Sequence, residues 1–376
     1  MKPWFPTEIA TPVEAPGGLD FRPQLDPRTE AVRKCLFVAS VLSALAAILL
    51  PPAIGMRANV MSFLPPFALL PSVAILWVWA NWRGLPRARA AAELAVTPLL
   101  LSLPVLVFSY SAMRAGFPLQ DARLEAWDSA FGFHALAFIA WVNRHPTFAH
   151  VLSHSYSSFF PQMIALPTVL VIAGRLERAY AMTFGVLLLG IIGSCICMFF
   201  PAVGVYVHHG IRDGAFAHVP QSLGFFNVQL DAVRTDPSFV LDVEHAQGIV
   251  SFPSGHAAMA VLCAWAAWSL RWVRWPLLAL NAAMFVSAIP QGAHYLVDLI
   301  AGAAMAIAAI LIATRLPVMI EARPRRSAGR MLNSPRFSRP RPPAPCSSRQ
   351  DAASAPASSP RPAADSALPP RTYSRG

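Results

Sequence analysis

Two short motifs carry side chains suited to work on a phosphate ester: Ser251-Phe252-Pro253-Ser254-Gly255-His256 and His294-Tyr295-Leu296-Val297-Asp298. A histidine backed by a carboxylate can attack phosphorus and form a phosphohistidine. A second histidine can pass a proton to the leaving oxygen, and a Ser-Gly turn offers donors to phosphate oxygens. His294 and Asp298 are four residues apart, so they share one face of a helix. A carboxylate bonded to one imidazole nitrogen fixes the tautomer and makes the other nitrogen the better nucleophile. Asp298 is flanked by Leu296, Val297, Leu299 and Ile300. A carboxylate in such a run needs a partner, and His294 is the nearest. In the other motif, Pro253 suits the first positions of a helix and Gly255 allows close backbone approach. A helix starting there points free N–H groups outward, which makes an anion site, and Ser254 adds a hydroxyl donor. The plainer readings are a serine cap before a helix-end histidine and a buried structural His–Asp pair. The two motifs together argue for a shared site.

Those motifs sit at the edges of hydrophobic spans. The 376 residues are 55% hydrophobic and only 13% charged, with mean hydropathy +0.48. Soluble domains carry roughly 25% charged residues. The composition points to an all-α, polytopic membrane helix bundle. About 20 apolar residues cross a bilayer core as a helix. Eight segments come near this length: 35–55, 63–82, 91–112, 155–173, 179–200, 254–271, 275–292 and 295–314. The fourth is the most polar, with Ser155, Ser157, Ser158 and Gln162. The stretch from Phe133 to Val142 is too short to span and reads as an interfacial or re-entrant helix. The domain reading follows: a Pro-rich segment over 1–32, accessory helices over 33–112, a catalytic membrane domain over 113–321 and a basic tail over 322–376. The N-terminal segment has no apolar core of a cleavable signal, so the first hydrophobic helix is expected to act as the insertion signal.

Arginines set the expected orientation. Arg22, Arg28, Arg33 and Lys34 precede the first span, and Arg83, Arg87 and Arg89 follow the second. Arg175 and Arg178 follow the fourth, Arg271 and Arg274 the sixth, and Arg315 the eighth. Every second boundary is thus a compact basic cluster. Eight spans with both termini cytoplasmic satisfy this pattern and put His256 and His294 on the same external side. The net charge of +11 is concentrated in the tail after Ala322, which has eleven arginines against two aspartates. Its Pro, Ser and Ala content predicts disorder, and its charge predicts contact with anionic lipid headgroups and no nucleic-acid binding. The arginine-rich, lysine-poor composition fits a bacterial plasma membrane. The cysteines lack zinc-binding spacing and read as structural thiols.

The two motifs resemble the second and third signatures of the type 2 phosphatidic acid phosphatase (PAP2) superfamily. The third signature pairs a Ser-Arg with a later His-x-x-x-Asp. Ser287, His294 and Asp298 match that spacing, and Gly292 stands two before the histidine. Ala288 occupies the arginine position. The first signature, a Lys followed by Arg-Pro, falls where this chain has Phe199-Phe200-Pro201-Ala202-Val203-Gly204-Val205-Tyr206. Three phosphate-binding cations are therefore absent together. This pattern is similar to the inositol phosphorylceramide synthase-like branch, which has a Phe-Pro-Ala-type segment and His-Tyr-x-x-Asp. The Asp128–Gly132 and Ser155–Gln162 stretches also look like that branch.

The resemblance implies that His294 attacks phosphorus, Asp298 orients it and His256 handles the proton. It implies that Ser254 and the Gly255 amide hold phosphate oxygens, with no metal and no cofactor. A transferred phosphoryl group needs positive charge around its oxygens. A diester carries one negative charge fewer than a monoester, so a site without lysine or arginine suits a membrane phosphodiester lipid and headgroup transfer to a polyol or other alcohol. The alternative is a PAP2-type lipid phosphate monoesterase. His208, His209 and Arg212 are candidate substrate-binding residues that would supply the missing charge, and Arg144, Arg234 and His245 share the expected external side. A transporter or scaffold fits less well. Its hallmark would be paired broken helices and ionisable residues at the membrane midplane. This chain breaks at Pro51-Pro52 and Pro65-Pro66 without a matching pair later, and its histidines stand at helix ends.

Overall fold

The structure, a computed structural model, describes residues 25–212, 214–219 and 223–322. Most of the Pro-rich segment and nearly all of the basic tail lie outside the described residues. Asp26 opens the first helix, α1 (Pro27–Ala53), by accepting hydrogen bonds from Arg28 N and Thr29 N at 3.0 and 3.3 Å. Two 3-10 turns lead into α2 (Leu70–Trp82), and α3 (Pro86–Arg114) follows. Then come α4 (Asp121–Ala130), α5 (Ala135–Asn143), α6 (Pro146–Ser157) and α7 (Phe159–Ile172). The long α8 (Leu176–Phe199) is followed by the single turn α9 (Val205–His208) and by α10 (Leu223–Thr235). The last three are α11 (Gly255–Ala267), α12 (Arg274–Gly292) and α13 (Leu296–Ala322). Strand among the described residues is confined to a two-residue parallel pair, Arg57–Ala58 with Val240–Leu241.

Five helical stretches are long and apolar enough to cross a membrane: Pro27–Ala53, Val60–Trp82, Pro86–Arg114, Leu176–Phe199 and Leu296–Ile320. The pair α6–α7, bent by 54°, makes a sixth if taken as one span. The eight expected spans are thus not all realised as such. Counting apolar residues overlooks where a helix ends. α11 has 13 residues and rises only about 20 Å against a hydrocarbon core of about 30 Å. α12 has 19 residues but carries Arg274, Asn281 and Gln291. The stretch expected to be too short to span is the nine-residue α5, which buries Ala135, Ile139 and Val142 on one face.

The shared core lies between α3, α7, α8, α11 and α13 and includes Leu94, Leu101, Met182, Leu187, Met259, Leu262 and Met305. The outside is equally apolar, with Phe37, Leu42, Ile48, Leu49 and Ile75 all exposed. Water solvates such a surface poorly and lipid solvates it well. This is a membrane protein of packed helices. Near the starts of α3 and α8, Glu93 takes four side-chain donors: Arg33 Nε and Nη2 at 2.8 and 2.9 Å, Trp77 Nε1 at 2.9 Å and Tyr180 Oη at 2.6 Å. That network ties α1, α2, α3 and α8 together at one end of the bundle. At the same end of α8, Arg178 stacks on Trp265 of α11, 4.0 Å from the ring centre.

The bend between α6 and α7 follows from its serines. Ser155 Oγ donates to Val151 O, Ser157 Oγ to Ser153 O and Ser158 Oγ to Ser155 O. Such back-bonding competes with the helical ladder and bends helices. Past the bend, buried Gln162 accepts from Asn281 Nδ2 of α12 at 2.7 Å. The polar residues that made this segment atypical therefore shape and anchor it.

Candidate active site

α11 and α13 begin side by side. Ser254 N donates to Asp298 O at 3.1 Å. A Cβ on Gly302 of α13 would lie 2.4 Å from Ser254 O and 3.2 Å from Ala258 N, so only glycine permits this approach. The pairing of helix starts puts both sequence motifs at one end of the bundle.

His294 stands just before α13, not within it, and still reaches Asp298 in the first turn. His294 Nδ1 donates to Asp298 Oδ2 at 3.0 Å, because an ionised carboxylate only accepts. The proton on Nδ1 leaves the lone pair on Nε2. Tyr295 N donates to the same Oδ2 at 3.0 Å. His294 is 4% exposed and Asp298 0%. Asp298 Oδ1 has no hydrogen-bond partner among the described residues. Gly292 frames the nucleophile. A Cβ there would lie 2.6 Å from His294 Cδ2, 3.0 Å from Nε2 and 3.2 Å from Tyr156 Oη. The phenol and the reactive nitrogen thus flank one small space that a glycine keeps open.

His256 is held by stacking. Its ring lies on Tyr156 with centroids 3.7 Å apart and planes 11° apart, and Phe159 packs against it at 4.6 Å. Tyr156 and Phe159 flank the α6–α7 bend. Tyr156 touches His256 with its ring and borders the Gly292 space with its hydroxyl, so it joins the two histidines. Neither ring nitrogen of His256 has a hydrogen-bond partner among the described residues. Both remain available for a substrate.

Ser254 is the N-cap of α11, and its Oγ accepts from Ala257 N at 3.3 Å. The cap uses a lone pair and leaves the hydroxyl proton free to donate. Gly255 is exposed, with open space where a side chain would be. Ser251 Oγ, at the start of the first motif, and Gln291 Nε2, three residues before His294, are buried and have no hydrogen-bond partner among the described residues. The sequence assigned neither a role. Two acidic residues of α4 hold the backbone around the site. Asp121 accepts from Val203 N at 3.0 Å, from Gly204 N at 2.8 Å and from Tyr295 Oη at 3.3 Å. Asp128 accepts from Leu296 N and Val297 N at 2.7 and 2.9 Å, capping the first turn of α13. Burial raises the Asp128 carboxyl above the ordinary range, and the two backbone donors oppose that shift. Asp121 had no signal in the sequence, because its partners lie 82 to 174 residues away.

The Pro201–Tyr206 segment replaces a cationic signature with backbone contacts. Val205 N donates to Ala293 O at 2.8 Å, and Tyr206 Oη donates to Pro290 O at 2.6 Å. Ala293 takes the left-handed conformation at φ 55°. Gly204, at φ +85°, lets the segment press against it, since a Cβ there would be 2.7 Å from Ala293 O. His208 and His209, expected to meet phosphate, face the Glu125 carboxylate at 3.4 and 2.8 Å. Arg212 and Arg144 are exposed. Arg234 donates to Phe117 O at 2.9 Å, and His245 lies 3.7 Å from Asp242. Among the described residues no lysine or arginine side chain bonds to Ser254, His256, His294 or Asp298.

A bundle of apolar helices with a buried His–Asp pair and a second, stacked histidine at one end defines a membrane protein of the phosphatase or phosphotransferase class. A family model described as the PAP2 superfamily matches residues 122–312, just over half of the chain, and the chain belongs to that superfamily. The match contains both histidine motifs. No curated protein matches, and neither does any solved structure.

Proposed function

We propose that the protein is an integral-membrane lipid phosphotransferase that works through a phosphohistidine, transferring a headgroup phosphate from a phosphodiester lipid in the manner of the inositol phosphorylceramide synthase-like branch. The observation that carries this reading is the 3.0 Å His294–Asp298 bond, which leaves Nε2 facing the space at Gly292. In the first step the Nε2 lone pair attacks phosphorus, and the bond from phosphorus to the lipid alkoxide oxygen breaks. Burial disfavours the charged imidazole, so His256 takes up a proton as the anionic phosphate binds beside it and then gives that proton to the leaving oxygen. In the second step an acceptor hydroxyl attacks phosphorus and hands its proton to His256. The phosphorus–nitrogen bond then breaks and returns its electron pair to Nε2. Asp298 stabilises the positive charge that His294 gains in between. The step requires no metal-activated water.

Ser254, the Gly255 amide, Ser251 and Gln291 offer neutral donors to the phosphate oxygens, and Arg212 would approach from the rim. Donors without formal charge favour a singly charged diester over a doubly charged monoester, which is why transfer leads and monoester hydrolysis is the second reading. We infer from the alternating arginine clusters that this end of the bundle faces the external leaflet of the cell's plasma membrane, with both termini inside.

The test uses purified protein in mixed micelles with a phosphorus-labelled phosphodiester lipid, with and without inositol or another polyol. A labelled diester joining the headgroup to the polyol, formed only when the acceptor is present, supports transfer. Release of headgroup phosphate regardless of acceptor gives hydrolysis instead. Full activity in His294→Ala or His256→Ala overturns both.

A further inference from the structure

We propose that Glu125, His208 and His209 form a binding site for a divalent first-row metal ion, with zinc the best match. One ligand atom from each residue lies within 4.8 Å of the other two. His209 Nε2 is 2.8 Å from Glu125 Oε1, and His208 Nε2 is 3.4 Å from Glu125 Oε2. These contacts run to different oxygens of Glu125, so side-chain rotations must bring one of those oxygens and both ring nitrogens to the roughly 3.3 Å spacing of ligands about 2.05 Å from a tetrahedral zinc. Two imidazoles and one carboxylate make a nitrogen–oxygen set suited to zinc, with a fourth position left for water.

The surroundings fit an ion as well. The three side chains are 31%, 30% and 42% exposed for His208, His209 and Glu125, so a hydrated ion can enter. The two rings stand edge to face at 80°, with centroids 5.1 Å apart. Among the described residues Glu125 pairs with no lysine or arginine. Glu125 lies one helical turn after Asp121, on the same face of α4. Asp121 already holds Val203 and Gly204, and the ion would add a second tie from α4 to the turn that ends in His209. Glu125 also lines a cavity of about 280 Å³ with Val205, Asp128 and Tyr295. This site stands independently of the phosphohistidine reading, because binding is measured without turnover.

The full chain, purified in detergent, stripped with EDTA and dialysed, is loaded with Zn²⁺, and the metal retained through gel filtration is counted. Wild type is expected to keep one equivalent, and Glu125→Gln and His209→Ala less than about a tenth of that, given the affinity lost when a ligand or its support is removed. Glu125→Gln preserves shape and a hydrogen bond to His209, so its fold is expected to survive. Co²⁺ loading of the wild type gives a second reading that needs no variant. Visible d–d absorption without a thiolate charge-transfer band supports the site. Absent zinc in wild type, equal zinc in all variants, or a thiolate band that assigns the metal to cysteine overturns it.

Discussion

Glu93 and Asp298 are both carboxylates enclosed by apolar helices, and the fold treats them oppositely. Glu93 receives four side-chain donors, two from a guanidinium, and both oxygens are filled. Asp298 receives one imidazole N–H and one backbone N–H on a single oxygen, and its other oxygen is bare. The two regions lie near opposite ends of α8, whose stretch from Tyr180 to Phe199 rises roughly 30 Å. A saturated charge network has no valence left for a ligand and acts on stability. An unsaturated one costs stability and keeps its directional capacity for chemistry. Around Asp298 the same incompleteness recurs: among the described residues, the ring nitrogens of His256 and the donors of Ser251 and Gln291 have no hydrogen-bond partner. The lesson is that the more deeply buried carboxylate, Asp298 at 0% against 17% for the Glu93 side chain, is the less satisfied of the two.

Four substitutions test that division, in falling order of effect. His294→Ala removes the nucleophile and is expected to lower turnover on the order of 10⁴-fold or more, read as initial rate with labelled lipid, while membrane insertion is unchanged. His256→Ala removes proton transfer and is expected to cost about 10²–10⁴-fold. Much of that loss should return with an aryl phosphodiester, whose leaving group departs without a proton; equal losses on both substrates would deny His256 its role. Gly292→Ala inserts a methyl against the reactive imidazole and should lower kcat by about 10²-fold through misplacement, with little change in the thermal midpoint. Glu93→Ala should do the reverse. It leaves Arg33 with Glu30, 3.3 Å away, as its remaining partner and removes the charge-assisted bonds to Glu93, so it is expected to destabilise by about 2 kcal/mol, read as a lower unfolding midpoint in detergent. The activity of the folded fraction should stay within about twofold, since distant sites act independently. A Glu93 variant that stays stable but loses catalysis would collapse the contrast.

Much of this was legible in the sequence, and the illegible part has a physical cause. The i, i+4 spacing of His294 and Asp298 gave their pairing, and apolar flanks gave their burial. Arginine placement put His256 and His294 at one end, where the α11 and α13 starts do meet. Span length was misjudged, because hydropathy does not mark that α11 stops at Ala267. Tyr156 and Phe159 stayed hidden because their contact with His256 depends on a bend between them. The serine cluster signalled that bend only as an oddly polar span. Asp121, Ser251 and Gln291 owe their roles to partners or vacancies that exist only once the helices pack. His208 and His209 were read as phosphate ligands from position alone. The nearby Glu125, 83 and 84 residues earlier in the sequence, gives them a different neighbour.

The central claim is that His294 Nε2 becomes covalently bonded to phosphorus. The direct measurement is to quench the enzyme in base during turnover of a phosphorus-labelled phosphodiester lipid, digest it and locate the label by mass spectrometry. The account predicts an acid-labile, base-stable adduct on the peptide carrying His294, absent from His294→Ala. Label on any other residue, or turnover with no adduct on His294 under conditions that trap one elsewhere, would contradict it.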